Sequence, residues 1–338
     1  MKQLSLMISL LWVLTLTAQE EQVIKYVKEG IGYHDTGNYE DAIIAYRHAL
    51  YVDPGSPLAN YEIAMTFSTI NEHDSALKYV DKVLAFKNDH HLMAYITKGN
   101  TLDALGRGDE AIDTYKKALA NEGPHYLLLY NMAVTYNSHG ETDKAIENLI
   151  NGISQNAGHP SSHLLLANIM KSQSKTVQSL LGYYYFLLIE PGTSRSEGAF
   201  TSLMQQFGGN VEENKDGGFN ILINTSAIDK KNEFSSAELM VSMLSVTSSL
   251  PENKDKSEEE LFVSNTESFF KILGELKKKK DKGLWWELYI PFFYDLARSD
   301  HLEAYCYYIS QSSNTAAMDW LNANPDKLRA LDQWLRGG

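Results

Sequence analysis

The chain holds a single cysteine, Cys306, so neither a disulfide nor a multi-cysteine metal site can form within it. Cys306 sits in the apolar run Ala304-Tyr305-Cys306-Tyr307-Tyr308 and reads as a small buried hydrophobe, not a nucleophile. The ten histidines are scattered. The closest groupings are His90-His91 and His159-Pro160-Ser161-Ser162-His163. Pro160 keeps the last two rings off a regular helical pairing, and no cysteine or acidic cluster accompanies them. Both groupings therefore read as solvated loop histidines. No Gly-rich phosphate loop, nucleophile elbow or zinc-protease helix motif is found. Among 43 carboxylates no acid–base pair stands out from the rest. These residues predict no catalytic, cofactor or metal site, and hence a protein that is not an enzyme.

Other features bear on binding. Trp285, Trp286, Trp320 and Trp334 cluster near the C-terminus. Core packing is the first reading of these rings. A platform for stacking a glycan or nutrient is the alternative, because aromatic faces also bind ligands. Asn224-Thr225-Ser226 fits a glycosylation acceptor, a weak motif. The lysine run 277–280 follows a helical stretch, where cations complement the end of a helix dipole.

The elements that must position such residues are helical. Only 8 prolines interrupt 338 residues, and a hydrophobic share of 43% is that of a folded chain. The net charge of −13 argues against a nucleic-acid partner and against docking on an anionic membrane face. At the N-terminus, Lys2 precedes an almost wholly apolar stretch from Leu4 to Leu16, then Thr17-Ala18-Gln19-Glu20. A charged start, a short apolar core and a small residue before a polar stretch predict a signal peptide, residues 1–18, cut after Ala18. The apolar run is short for a bilayer span, and no cysteine lies nearby to take a lipid anchor. The expectation is an exported periplasmic or secreted protein, with no integral membrane span after cleavage.

A period of 34 residues runs through the first half. Tyr26, Gly30, Tyr33, Gly37, Ala42, Tyr46, Ala49 and Pro54 define it. Ala64, Phe67, Ala76 and Val80 repeat it. So do Tyr95, Gly99, Leu102, Gly106, Ala111, Tyr115 and Ala118, then Leu129, Ala133, Tyr136, Gly140, Ala145, Leu149 and Gly152. A degenerate fifth unit keeps Ala167, Met170, Tyr183, Phe186 and Pro191, with Ser179 where alanine is usual. This pattern resembles the tetratricopeptide-repeat (TPR) family over residues 23–193, with units near 23–56, 57–90, 92–125, 126–159 and 160–193. The fold class implied is all-α: a helix-turn-helix solenoid at 19–193 followed by an irregular helical region, 194–338. Small residues at Gly30, Gly99, Ala42, Ala76, Ala111 and Ala145 let helices cross closely. Gly37, Gly106 and Gly140 close the turns.

The resemblance also implies a groove lined by the first helix of each unit, and a scaffold or adaptor function with a protein or peptide partner. Its groove positions fall on Ile24, Val27, Ile31 and His34, on Leu58, Tyr61, Met65 and Ser68, and on Met93, Ile96, Asn100 and Asp103. They continue on Leu127, Tyr130, Val134 and Asn137, and on Ser161, Leu164, Asn168 and Lys171. The carboxylate clamp of chaperone-binding members has Val27, Ile31, Glu62, Met93 and Thr97 in place of its lysines and asparagines, so a C-terminal carboxylate is not the expected ligand. The groove takes an apolar segment of a partner, or is filled by the chain's own C-terminal half.

Beyond Arg195 the repeat fades. Residues 208–218 read as a polar loop, Phe219–Ile223 as a short strand without an evident partner, and 233–250 as helical. Ser257 with Glu260 predicts a capping box opening a long helix. Helices are predicted at Leu284–Arg298, Leu302–Ser310 and Thr315–Asn322, and after Pro325.

Overall fold

The computed structural model describes residues 2–208, 211–213, 219–221, 225–228, 232–244, 246, 253 and 255–337. Asn224 of the glycosylation motif and most of the expected loop at 208–218 lie outside them. The chain divides into two compact units, Met1–Asn148 and Leu149–Gly338.

The first unit is built from antiparallel helix pairs. They are α1 (Lys2–Asp35) with α2 (Tyr39–Val52), α3 (Pro57–Thr69) with α4 (His73–Leu84), and α5 (His91–Ala104) with α6 (Gly108–Glu122). Next come α7 (Tyr126–Ser138) and α8 (Thr142–Gln155), the latter crossing the division between the units. Ala42, Ala76 and Ala111 are fully buried at the crossings. A Cβ on Gly30 would run into the ring of Tyr46, and one on Gly99 into the ring of Tyr115. Each glycine is thus the gap its tyrosine fills. The turn inside each pair needs one left-handed residue. Gly37, Gly106 and Gly140 supply it at φ 80°, 73° and 78°. Asn71 and Ser174 take the same place at φ 61° and 58°, two turn positions the glycine pattern does not reveal. Helix starts follow local chemistry: the Ser56 hydroxyl accepts from the Ala59 amide at 3.3 Å, and Pro57 opens α3, where its missing N–H costs nothing.

The second unit contains the fifth pair, α9 (Pro160–Ser172) and α10 (Thr176–Ile189). The helices α11 (Ser194–Gly208), α13 (Ser235–Leu244), α14 (Glu258–Leu276), α15 (Ile290–Ala297) and α16 (Leu302–Ser310) share its core. A four-residue α12 (Thr225–Ile228) precedes α13, and α17 (Thr315–Ala323) and α18 (Pro325–Leu335) follow α16. The sequence places a boundary at 193, where the repeat fades. In the structure the fifth pair instead packs with the C-terminal helices, because α10 is apolar on every side and has no solvent face to offer. Tyr184 is its centre. Its ring lies within 6.4 Å of the rings of Phe207, Phe262, Phe269, Phe270, Phe293 and Tyr305. Its hydroxyl pairs with that of Thr266 at 2.7 Å, and its carbonyl accepts from the Tyr305 hydroxyl at 2.9 Å. Ser179 keeps the close approach that alanine would give by donating to the Ala167 carbonyl at 3.0 Å.

Among the described residues the exception to helix is one antiparallel hairpin. The predicted strand, Phe219–Ile221 (β2), does have a partner, Val211–Glu213 (β1), with Glu212 opposite Asn220. Three residues are too short to show as a periodic signal. The capping box of Ser257 and Glu260 opens α14 as expected, and the helix stops at Leu276, just before the lysines. The helix predicted over Leu284–Arg298 is widened at Trp285–Tyr289 into a π-helical turn, where the Ile290 amide bonds the Trp285 carbonyl. Pro291 accounts for this: its ring clashes with the carbonyl four residues back and cannot donate.

Candidate functional site

The inner face of the first unit is presented by α1, α3, α5 and α7. Of the eleven groove residues marked by the sequence, nine are at least partly exposed. Val27 and Ile96 are buried, at 1% and 6% exposed. Val27 packs with Tyr46, Ala59 and Ile63 in the core, because the next helix pair closes over it. Met93 and Val134 are each 36% exposed, and Asn100 is exposed too. Ile31, Tyr61, Met65 and Tyr130 are half-buried, so the face carries an apolar and aromatic row.

Several of these side chains are held by neighbours. Tyr61 stacks on the His90 ring at 5.5 Å. The Met65 sulfur lies 3.1 Å from the Thr97 hydroxyl. His34 shares a hydrogen bond of 2.8 Å with the Thr66 hydroxyl and meets Tyr39 edge-on. Asn100 accepts from the Tyr115 hydroxyl at 2.6 Å. Asn137 is half-buried. Their placement is therefore fixed before any partner arrives.

The same helices carry acidic residues: Asp35 ends α1, Glu62 lies midway along α3 and Asp103 is next to last in α5. Glu62 makes no side-chain hydrogen bond or ion pair among the described residues, and burial followed by the charge of Asp35 raises its pKa above the ordinary carboxylate value. Asp103 lies 4.0 Å from the His139 ring. Asp35 and His139 were not marked by the sequence; continuing the repeat frame to the end of each first helix would have reached Asp35. No lysine or arginine among the described residues forms an ion pair with Asp35, Glu62 or Asp103.

Elsewhere the structure corrects the reading of the histidines. His91 is buried and bonded to Glu122 at 2.6 Å. His163 is fully buried on α9, between the Tyr289 hydroxyl and the Ala157 carbonyl, and its pKa is pushed down to about 4, chiefly by burial. Neither is a solvated loop histidine, because each begins or sits inside a helix packed by a neighbour. Cys306 is buried, and burial pushes its thiol pKa far up. The tryptophans are engaged by their own chain. Trp286 stacks on Phe234 and donates to Glu233 at 2.6 Å, and Trp285 stacks on Tyr289. Trp320 lies between Tyr307 and Lys327, and Trp334 meets Phe292 and His301. They form core and pairs, not an open sugar platform. No group of three or more possible metal ligands occurs among the described residues.

The profile of the family described as Tetratricopeptide repeat matches residues 26–56 and 94–122. A TPR repeat-containing protein of Methanocaldococcus jannaschii is 34% identical over 88 residues, 25% of this chain and 28% of that protein. A second from the same organism is 27% identical over 108 residues, 32% of this chain and 19% of that one. The chain thus spans less than a third of either relative. Among solved structures, pilF of Pseudomonas aeruginosa has 24% identity and a TM-score of 0.49, over 56% of this chain and 86% of that one. Proteins of this fold are in general protein–protein interaction scaffolds. The matched repeats, the recurring helix pairs and the glycine-to-tyrosine fit inside them agree: this chain carries tetratricopeptide repeats.

Proposed function

We propose that the chain is an exported scaffold or adaptor that holds a protein or peptide segment along the inner face of its first unit. The observation that carries this reading is that the first helices combine an apolar row with carboxylates that no lysine or arginine among the described residues pairs. Met65, Met93, Val134, Tyr61 and Tyr130 offer adaptable and aromatic anchors. Asp35, Glu62 and Asp103 favour a segment that adds a lysine or arginine to its apolar side chains. Export is supported by the N-terminal pattern. A cut after Ala18 leaves Gln19–Asp35 of α1, comparable to the 13 and 14 residues of α3 and α5.

The test is site-specific photo-crosslinking in the native envelope fraction. A crosslinker at Met93 captures a discrete partner, whereas one at Ile44, exposed on α2, does not. Tyr61→Ala with Met65→Ala lowers the Met93 product without loss of helicity. Equal products at Met93 and Ile44 would contradict the reading. Mass determination of the mature protein tests the cut before Gln19.

A further inference from the structure

Within the second unit, α11, α14 and α16 leave an open cleft of about 330 Å³. This is at the lower end of the ~300–1,000 Å³ of small-molecule sites. Its walls are apolar: Phe200 meets Phe262 edge-to-face at 5.3 Å, and Met204 and Val263 lie beside them. Its rim carries Glu258 and Glu259. Asn314 donates to Glu259 Oε1 at 2.8 Å, which fixes that carboxylate and holds its pKa below the ordinary value. No lysine, arginine or histidine among the described residues pairs with either glutamate.

The balance of charge at the rim decides the ligand. The two glutamates stand in the first turn of α14, whose N-terminus contributes roughly +0.5 of a charge. Two carboxylates outweigh that, so the mouth is negative and repels an anion. A neutral apolar ligand would fill the walls but leave the carboxylates unused. A cation with an apolar body satisfies both, and aromatic walls add their own attraction for it.

We propose that this cleft binds a small organic cation, an alkyl- or arylalkylammonium whose apolar part lies on Phe200, Met204 and Phe262 and whose ammonium meets Glu258 and Glu259. The site is separate from the inner face of the first unit and does not depend on it. Calorimetric titration of the full chain at neutral pH and low salt tests it, with phenethylamine, the neutral 3-phenylpropan-1-ol and phenylacetate as probes. The amine binds about tenfold or more tighter than the alcohol, and phenylacetate more weakly than both. Glu259→Gln, which can still accept from Asn314, removes that preference. Val263→Trp fills the cleft and abolishes binding. Thr201→Trp, on the exposed rim, does the same should the first variant fold poorly. No binding of the amine, equal binding of amine and alcohol, or undiminished binding to a folded tryptophan variant would overturn the proposal.

Discussion

The Tyr289 hydroxyl donates to Nδ1 of His163 at 2.6 Å, across 126 residues of sequence. The other ring nitrogen donates to the Ala157 carbonyl at 2.8 Å. A carbonyl can only accept, so Nε2 carries the proton and Nδ1 must be the acceptor. The buried ring is held neutral, joining the start of α9 to the π-helical turn.

This predicts a pH dependence of stability. The folded pKa of His163, about 4, is below the ordinary value of 6.5, so the neutral ring's contribution is fully present above pH 6.5. It is lost as pH falls from 6.5 toward 4, to a total of about 3 kcal/mol. Melts of the natural protein and His163→Gln across that range should differ in slope, the variant lacking this component. Tyr289→Phe should cost about 1–3 kcal/mol at neutral pH, by leaving Nδ1 without its donor.

Gly99→Ala should destabilise the first unit by about 1–3 kcal/mol, because the added Cβ meets the Tyr115 ring. The displaced ring would also lose the hydrogen bond to Asn100. Urea denaturation measures the loss; an unchanged midpoint would show that the ring moves freely, against the packing described.

Glu62→Gln should separate stability from function. Burial and the charge of Asp35 disfavour the ionised carboxylate, so removing the charge raises the melting midpoint at pH 7. Screening by water at this half-exposed position keeps the gain below about 1 kcal/mol. The raised pKa places the difference above the titration of Glu62 and erases it as pH falls below the ordinary carboxylate range. If the partner brings a cation to this carboxylate, the same variant lowers the Met93 crosslink. Gain in stability with unchanged capture would move the contact elsewhere.

The turns give a converse test. Ser174 holds φ 58°, a conformation that costs an L-residue roughly 1–2 kcal/mol. Glycine's greater freedom in the unfolded chain takes back about 0.5–1 kcal/mol. Ser174→Gly should therefore stabilise by up to about 1 kcal/mol in a thermal melt, whereas Gly140→Ala, at φ 78°, should destabilise by a similar amount.

The sequence by itself determined the repeat. Gly30 with Tyr46 and Gly99 with Tyr115 recur at one period, and each pair is one close helix crossing, so local residue choice and local packing carry the same information. It also determined the start of α14, since a capping box is made by residues three apart. Tertiary structure alone decided what depends on distant partners. Val27 and Ile96 occupy groove positions in the frame but are covered by packing that the frame does not specify. His163 reads as a loop residue until Tyr289 arrives from 126 residues away. The aromatics of α10 look like a degenerate repeat until α11, α14, α15 and α16 enclose them. A 34-residue period specifies which side chains neighbouring helices share. It is silent on contacts across a hundred residues, because burial is set by whichever surface removes water, wherever that surface lies in the chain.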